Sequence, residues 1–298
     1  MRKKLQAVYE KKYKLLLLIP FILLVLALLQ LGIQYSMTGD FVNKGVSLKG
    51  GSTITISNDP LVDIDNLESY LKEQFPRGDI NVRTISSGGR VVSVAIDSDA
   101  QETEEIEILI NAMTDKIGSE IEYNIEVMGS SLGKSFFKET LVALLIAFIL
   151  MGIVVLIYFR TFVPSIAVIL AAFSDMVVTL AIFNIVGSFT GMKLSTAGIA
   201  AFLMLIGYSV DTDILLSSRL LKRKEGSLME RVYGAMRTGL TMSSTTLMAV
   251  LIAMIFVQSE VIKQIMVILF IGLLVDLVMT WIQNVGILRL YLEKKKSK

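Results

Sequence analysis

The chain contains no cysteine and no histidine. The first absence excludes disulfides, thiolate nucleophiles and Cys-ligated metals. The second removes the side chain that usually carries protons near neutral pH, and with it the commonest metal ligand. No Ser/His or Cys/His constellation can therefore form, and no phosphate-binding loop occurs. The sequence predicts no enzyme, no cofactor and no metal site. An excess of one charge is also lacking. Lys and Arg number 29 against 27 Asp and Glu, a net charge of +2, so bulk electrostatics predicts no nucleic-acid partner. Any proton chemistry falls to carboxylates, Tyr, Lys or bound water.

What the chain does have is apolar residues. They make up 53% of its 298 positions, and mean hydropathy is +0.66, well above the soluble globular norm. Six apolar segments have the length that spans a bilayer, about 20 residues. They run Leu15–Ile33, Phe136–Tyr158, Val163–Val186, Ser195–Leu216, Thr238–Val257 and Ile262–Leu290. A basic N-terminus followed by an apolar run could suggest a signal peptide. That run is 19 residues long, however, and no small-x-small site closes it, so a retained first helix is predicted. The last segment is long enough to tilt or to extend beyond the bilayer.

Basic residues give the orientation. Arg2, Lys3, Lys4, Lys11, Lys12 and Lys14 precede the first segment, Arg160 follows the second, Arg219, Lys222, Arg223, Lys224 and Arg231 lie between the fourth and fifth, and Lys294, Lys295, Lys296 and Lys298 end the chain. Six spans put all of these on one side. The loops on the other side, Gly187–Leu194 and Gln258–Gln264, hold one lysine each, Lys193 and Lys263. The expected organisation is a cytoplasmic basic N-terminus (1–14), a first transmembrane helix (15–35), an extracytoplasmic domain (36–133), transmembrane helices two to six (134–290) and a cytoplasmic basic tail (291–298). This is an α-helical multi-pass protein of the cytoplasmic membrane with an α+β domain between helices 1 and 2.

That domain has its own alternation of elements. Val46–Ser57 reads as a strand with a bulge or bend at Gly50–Gly51. Leu61–Phe75 has helical spacing at Leu61, Ile64, Leu67 and Leu71, with Pro60 just before it. Ile80–Ser86 and Arg90–Ile96 read as a hairpin around Ser87-Gly88-Gly89. Gln101–Ile117 reads as a helix and Tyr123–Met128 as a last strand. The order β-α-β-β-α-β is that of ferredoxin-like domains, and about 95 residues can hold one core. The acidic run Glu102–Glu107 reads as a solvated helix face, and the Met and Phe residues as packing and lipid contact.

The candidate functional residues are polar groups inside the apolar segments, where a charge costs at least ~2.5–3.5 kcal/mol on insertion scales. Asp211 and Asp213 sit within three residues in the fourth segment and point about 200° apart on a helix, so they do not form one paired-carboxylate site. Each reads either as functional or as a salt-bridged or capping group. Arg237, at the entrance of the fifth segment, is either a snorkelling anchor or the partner of one of those acids. Asp175 in the third segment and Asp276 in the sixth are each either members of a proton path or interhelical hydrogen-bonding groups. Asp276 stands in a stripe with Gly272, Thr280 and Asn284 at intervals of four. Lipid satisfies none of these groups, so they should face the bundle interior, a partner or water. The basic loop Leu220–Arg231 is a topology signal, with contact to membrane lipid head groups or a cytoplasmic partner as the lesser reading.

At these residues the chain resembles the SecF family, the smaller membrane subunits of the SecDF accessory complex of protein export. Gly45-Val46-Ser47-Leu48-Lys49-Gly50-Gly51 looks like the family's G-x-x-x-x-G-G element, and Ile206-Gly207-Tyr208-Ser209-Val210 like its fourth-span motif. Arg237-Thr238, with Thr241, Ser243, Ser244, Thr245 and Thr246, looks like its fifth-span R-T-x-x-T-S-x-T-T element. The resemblance covers essentially the whole chain. It implies a larger homologous partner, SecD, and a twelve-span assembly with the pseudo-two-fold symmetry of resistance–nodulation–division transporters. It also implies association with a SecYEG-type channel and assistance to unfolded preprotein substrate outside, drawing in bacteria on a proton or sodium gradient. The chain departs from the bacterial pattern at one place. Asn-Asp-Thr after Gly-Tyr-Ser-Val is replaced by Asp211-Thr212-Asp213, so Thr212 holds the acidic position and the acid has moved one place to either side, about 100° of helix. This looks like the archaeal branch. The relay role passes by resemblance to Asp211 and Asp213, and Arg237 matches without a shift. The rival expectations are a half-transporter for lipids or small hydrophobic molecules, which would need a larger outside domain, and a scaffold whose acids only hold helices together.

Overall fold

The computed structural model describes residues 9–57, 64–76, 78, 80–87, 90–117, 122–222, 225–257 and 259–296. Leu61, Pro60 and the Gly88–Gly89 turn fall outside them, as do Arg2, Lys3, Lys4, Arg223, Lys224 and Lys298.

A short turn, α1 (Tyr13–Leu16), leads into α2 (Leu18–Thr38), which ends on Gly39 in the left-handed conformation, φ 77°. A small α+β unit follows: α3 (Val46–Lys49), β1 (Gly51–Ser57), α4 (Ile64–Gln74), β2 (Asn81–Ser87), β3 (Arg90–Ser98), α5 (Thr103–Ile117) and β4 (Tyr123–Met128). Its strands pair antiparallel in the order β2-β3-β1-β4. Alternation puts Ile54 and Ile56 of β1 on one face. There they pack with Val94 and Ile96 of β3, Leu67 and Leu71 of α4, and Leu109 and Met113 of α5.

The expected strand Val46–Ser57 is corrected at its start. Val46–Lys49 forms one helical turn, closed by the Gly50 N–H on the Val46 carbonyl at 2.8 Å, and buries Leu48 completely. The strand begins only at Gly51. Gly50 and Gly51 are therefore a helix-to-strand junction, with φ of 93° and 126°. At Gly50 a Cβ would stand 2.3 Å from the Ser130 Cα, so this close approach of two backbones needs glycine.

The remaining helices are α6 (Ser130–Phe159), α7 (Phe162–Thr190), α8 (Thr196–Lys222), α9 (Leu228–Phe256), α10 (Glu260–Val278) and, after a π-helical turn at Met279–Asn284, α11 (Val285–Lys296). With the first, they make six helices long and apolar enough to cross a membrane among the described residues. The helices outrun the apolar windows because caps, not hydropathy, end them. α9 starts ten residues before Thr238, at a capping box in which Ser227 and Glu230 satisfy each other's main-chain N–H groups. α7, α8 and the sixth span form the buried centre, and α6 and α9 lie at the periphery. Small residues on α7, Ala167, Ala171, Ala172 and Ser174, are buried and let the neighbouring helices approach.

One loop of the bundle bonds directly to the segment that enters the sheet unit. Leu194, just before α8, donates its N–H to the Asn43 carbonyl and accepts from the Gly45 N–H, both at 2.7 Å. Its side chain packs with Val42 and Leu48 in the core that also holds Phe202 and Ile268.

Candidate functional site

Three carboxyl groups meet in the centre of the bundle. Asp175 of α7, Asp213 of α8 and Asp276 of α10 are at most 1% exposed. Asp175 lies roughly 20 Å of helix rise from either end of α7, at mid-membrane depth. Ser209, one turn before Asp213, donates its hydroxyl to Asp175 Oδ2. Thr280 Oγ1 lies 2.9 Å from Asp213 Oδ1 and 2.9 Å from Asp276 Oδ1. Asn284 donates its amide to the same Asp213 oxygen at 2.7 Å. Beside this row, Gln283 donates to Ser174 Oγ at 3.1 Å, and Ser174 donates back to the Leu170 carbonyl at 2.8 Å.

The hydrogen-bond inventory counts a proton here. A threonine hydroxyl carries one proton and two lone pairs. Thr280 can donate to Asp213 or to Asp276, but not to both. The second contact is satisfied only if that carboxyl is protonated and donates to the hydroxyl. One proton shared on the Asp213–Thr280–Asp276 row would satisfy both contacts of the hydroxyl. Asp175 Oδ1, Asp213 Oδ2 and Asp276 Oδ2 are buried without a hydrogen-bond partner, so the cluster has acceptor capacity to spare.

The π-turn makes this convergence possible. The Val285 N–H reaches back five residues to the Thr280 carbonyl, which widens the helix by one residue, a feature frequent at functional sites. Thr280 and Asn284 then both meet Asp213 while Gln283 turns to Ser174. Trp281 in the same turn fits because residue 239 of α9 is glycine; a Cβ there would stand 2.3 Å from its ring.

The other candidates stand apart. Asp211 and Arg237 are both exposed on the outer surface. No ion pair among the described residues includes either of them, so the expected Arg237 pairing with Asp211 or Asp213 is not formed. Asp213 finds hydroxyl and amide partners on the sixth span instead. Gly50 and Gly51 belong to the sheet junction and not to the cluster. Sequence reasoning placed Thr280 and Asn284 on the Asp276 stripe but missed Gln283; its one signal was two adjacent amides, Gln283–Asn284, in an apolar helix. It also missed Gln264, a buried amide at the start of the sixth span.

A family model described as protein export membrane protein SecD/SecF, C-terminal, matches residues 109–294. The protein-export membrane protein SecF of Pyrococcus furiosus is 39% identical over 298 residues, covering 100% of this chain and 97% of its own. The chain belongs to the SecF family. The SecF proteins of Methanothermobacter thermautotrophicus and Methanocaldococcus jannaschii are 39% and 35% identical, covering 95% and 97% of this chain and 94% and 99% of their own. Among solved structures, SecDF of Thermus thermophilus, described as a translocon-associated membrane protein, matches with a TM-score of 0.75 at 18% identity. SecDF in its super-membrane-facing form matches with a TM-score of 0.57 at 20% identity. These matches cover 95% and 94% of this chain but 38% of each SecDF chain, so the chain spans well under half of theirs. They show the fold.

The SecF motif of the fourth span divides across the helix. Ser209 points into the carboxyl cluster, and Gly207 and Tyr208 face outward. The fifth-span element also faces mostly outward: Arg237, Thr241 and Ser244 are exposed, and Ser243 is buried.

Proposed function

We propose that this chain is the SecF-type subunit of a protein-export accessory complex, and that its carboxyl cluster is where an ion gradient acts. The observation that carries the coupling is the Thr280 hydroxyl placed between Asp213 and Asp276. Gain or loss of one proton there reverses a hydrogen bond between the fourth and sixth spans. A proton drives a change only if its affinity differs between two packings, and a row that satisfies its hydrogen bonds in one protonation state provides that difference. Asp211 and Arg237 play no part in the row. They belong to an outward face of spans four and five, with Tyr208, Thr241 and Ser244, that lipid cannot satisfy. That face suits a SecD-type bundle, whose C-terminal region shares the same family model.

In this reading both termini are cytoplasmic, and residues 36–133 form an outside domain of ferredoxin-like topology. The antiparallel order β2-β3-β1-β4 with both helices on one face supports that assignment. β4 is an edge strand, with Tyr123 and Val127 about half exposed, and offers emerging unfolded preprotein a main-chain ladder. The complex would work beside a SecYEG-type channel, with no chemical catalysis.

The test is export of a secreted reporter in cells whose only copy carries Asp213→Asn, Asp276→Asn or Asp211→Asn, with membrane abundance measured alongside. Export should fall with the first two while the protein still inserts, and should keep its gradient dependence with the third. Unchanged export in the Asp213 and Asp276 variants would reduce the cluster to helix packing.

A further inference from the structure

Four of the five hydroxyl residues of α7 bond back to their own helix. Ser165, Ser174, Ser188 and Thr190 each donate to the carbonyl four residues before them, at 2.8–3.0 Å. Thr179 does not. It is completely buried, and its hydroxyl has no hydrogen-bond partner, an unfavourable state inside a span. Thr179 lies one turn beyond Asp175 in the direction of the sheet unit, and on the same face of α7. Asp175 Oδ1 is likewise buried and unpartnered.

The two helices that face α7 across the carboxyls complete the layer in which Thr179 stands. One turn beyond Ser209 in the same direction is Leu205, and one turn beyond Asp276 is Gly272. These two fit together. A Cβ on residue 272 would stand 2.5 Å from Leu205 Cδ1 and 2.6 Å from its Cδ2. The missing side chain therefore leaves a notch that the end of Leu205 fills, and Leu205 is completely buried. A further turn on, Phe183, Phe202 and Ile268 pack in the same core, which continues to Leu194 at the sheet end. Apolar packing closes the carboxyl cluster on that side, with one hydroxyl set in the layer next to the acids.

We propose that Leu205 in the Gly272 notch is a gate to the carboxyl cluster on the side of the sheet unit, and that Thr179 is the relay group behind it. Packing contacts hold Leu205 in place, and a change of its rotamer empties the notch. Water then enters between Thr179 and Asp175, whose Cβ atoms, as an i, i+4 pair, are about 5–6 Å apart. A hydrated proton on the sheet side gives its proton to the Thr179 oxygen. The threonine's own hydrogen passes to the bridging water, and that water gives one of its hydrogens to Asp175 Oδ1. Threonine and water end as they began, and the carboxyl has gained the proton. The relay rests on the coupling role proposed for the cluster, whereas the gate does not.

The absence of cysteine allows a clean test. Thr179→Cys is introduced into the full-length chain, which is placed with its SecD-type partner in lipid nanodiscs and treated with a trimethylammonium methanethiosulfonate. The thiolate is the reactive form, and apolar surroundings suppress it. Labelling should be slow in Thr179→Cys alone and rise on the order of tenfold when Leu205→Ala is added. Leu205→Met, which keeps the volume, should leave it slow. Leu29→Cys, on the exposed side of α2 and nine residues from its end as Thr179 is eleven from the end of α7, should stay slow in every background. Fast labelling of Thr179→Cys alone, or a rate that Leu205→Ala leaves unchanged, would overturn the gate. Export reads the relay separately. Thr179→Val keeps the shape and should lower export at unchanged membrane abundance, and Thr179→Ser should restore it. Normal export in Thr179→Val while Asp213→Asn lowers it would overturn the relay and leave the cluster's role standing. A silent Asp213→Asn would overturn the relay together with that role, and the labelling contrast would still decide the gate.

Discussion

Gln264 accepts a hydrogen bond from the main-chain N–H of Ser195 at 3.1 Å, and so ties the start of the sixth span to the start of the fourth. The same amide accepts from the Ser195 hydroxyl and donates to the Lys193 carbonyl. Between those two residues lies Leu194, the residue bonded to Asn43 and Gly45 of the segment that enters the sheet unit. The two spans that face each other across Asp213 and Asp276 are therefore clamped at one end, and the clamp holds the sheet unit.

Replacing Gln264 by Leu should destabilise the protein by about 1–3 kcal/mol, because the Ser195 N–H and the Lys193 carbonyl lose their partner in a buried place. Gln264→Glu should cost less, since a carboxylate still accepts from Ser195 but cannot donate to Lys193. Thermal unfolding in detergent micelles measures both. Equal losses in the two variants would mean that the acceptor side of the clamp, the contacts from Ser195, contributes nothing.

The Thr280 row gives a sharper contrast. Thr280→Val keeps the shape and removes the hydroxyl, so Asp276 Oδ1 loses its partner while Asp213 Oδ1 keeps Asn284. A loss of about 1–3 kcal/mol follows, and Thr280→Ser should restore most of it. Asp276→Asn should behave differently. An amide at that position donates to the threonine oxygen as a protonated carboxyl does, so melting temperature should stay near wild type while export falls. A melting temperature as low as that of Thr280→Val would show that the carboxyl does not act as a donor.

Much of this was legible in the sequence, and what was not has physical causes. Apolar length anticipated six membrane-length helices among the described residues, and period-two alternation found β2, β3 and β4. Spacing by four brought Asp276, Thr280 and Asn284 onto one face. The exposure of Asp211 and the burial of Asp213 were not legible. Residues two apart point opposite ways, but only packing decides which one faces inward. Nor was the π-turn, since the sequence Met279–Asn284 has no proline or glycine to announce a break. Val46–Lys49 read as strand because its alternation continues into β1; the positive φ of Gly50 and Gly51 separates the two.

Gly50→Ala should abolish accumulation of folded protein. A Cβ there meets the Ser130 Cα at 2.3 Å and its main-chain N at 2.7 Å in a φ of 93°, and main-chain atoms cannot move aside as the end of a flexible side chain could. Gly207→Ala is the matched control, with nothing within 4 Å of the added carbon. Membrane abundance should be near zero for the first and unchanged for the second. Co-purification of Gly207→Ala with a SecD-type partner then asks whether that outward face is a packing surface. Normal abundance with lost pairing would support it, and normal pairing would move the interface elsewhere.

The single tryptophan reports on the π-turn directly. Trp281 is 4% exposed. Its ring occupies the space that Gly239 leaves on α9, where an added Cβ would stand 2.3 Å from Cζ2 and 2.8 Å from Cη2. Gly239→Ala must therefore push the ring away or separate α9 from the sixth span, an overpacking cost of about 1–3 kcal/mol. Ring displacement carries Thr280 with it, because the two are adjacent in the widened turn. Gly239→Ala should shift the fluorescence maximum of Trp281 and lower export, even though residue 239 touches none of the carboxyls. A companion Trp281→Phe, which shortens the ring at the point of contact, should recover part of the stability when combined with Gly239→Ala. A fluorescence spectrum and a melting temperature both unchanged in Gly239→Ala would mean that α9 has room to retreat, and that the π-turn is not held in place from that side.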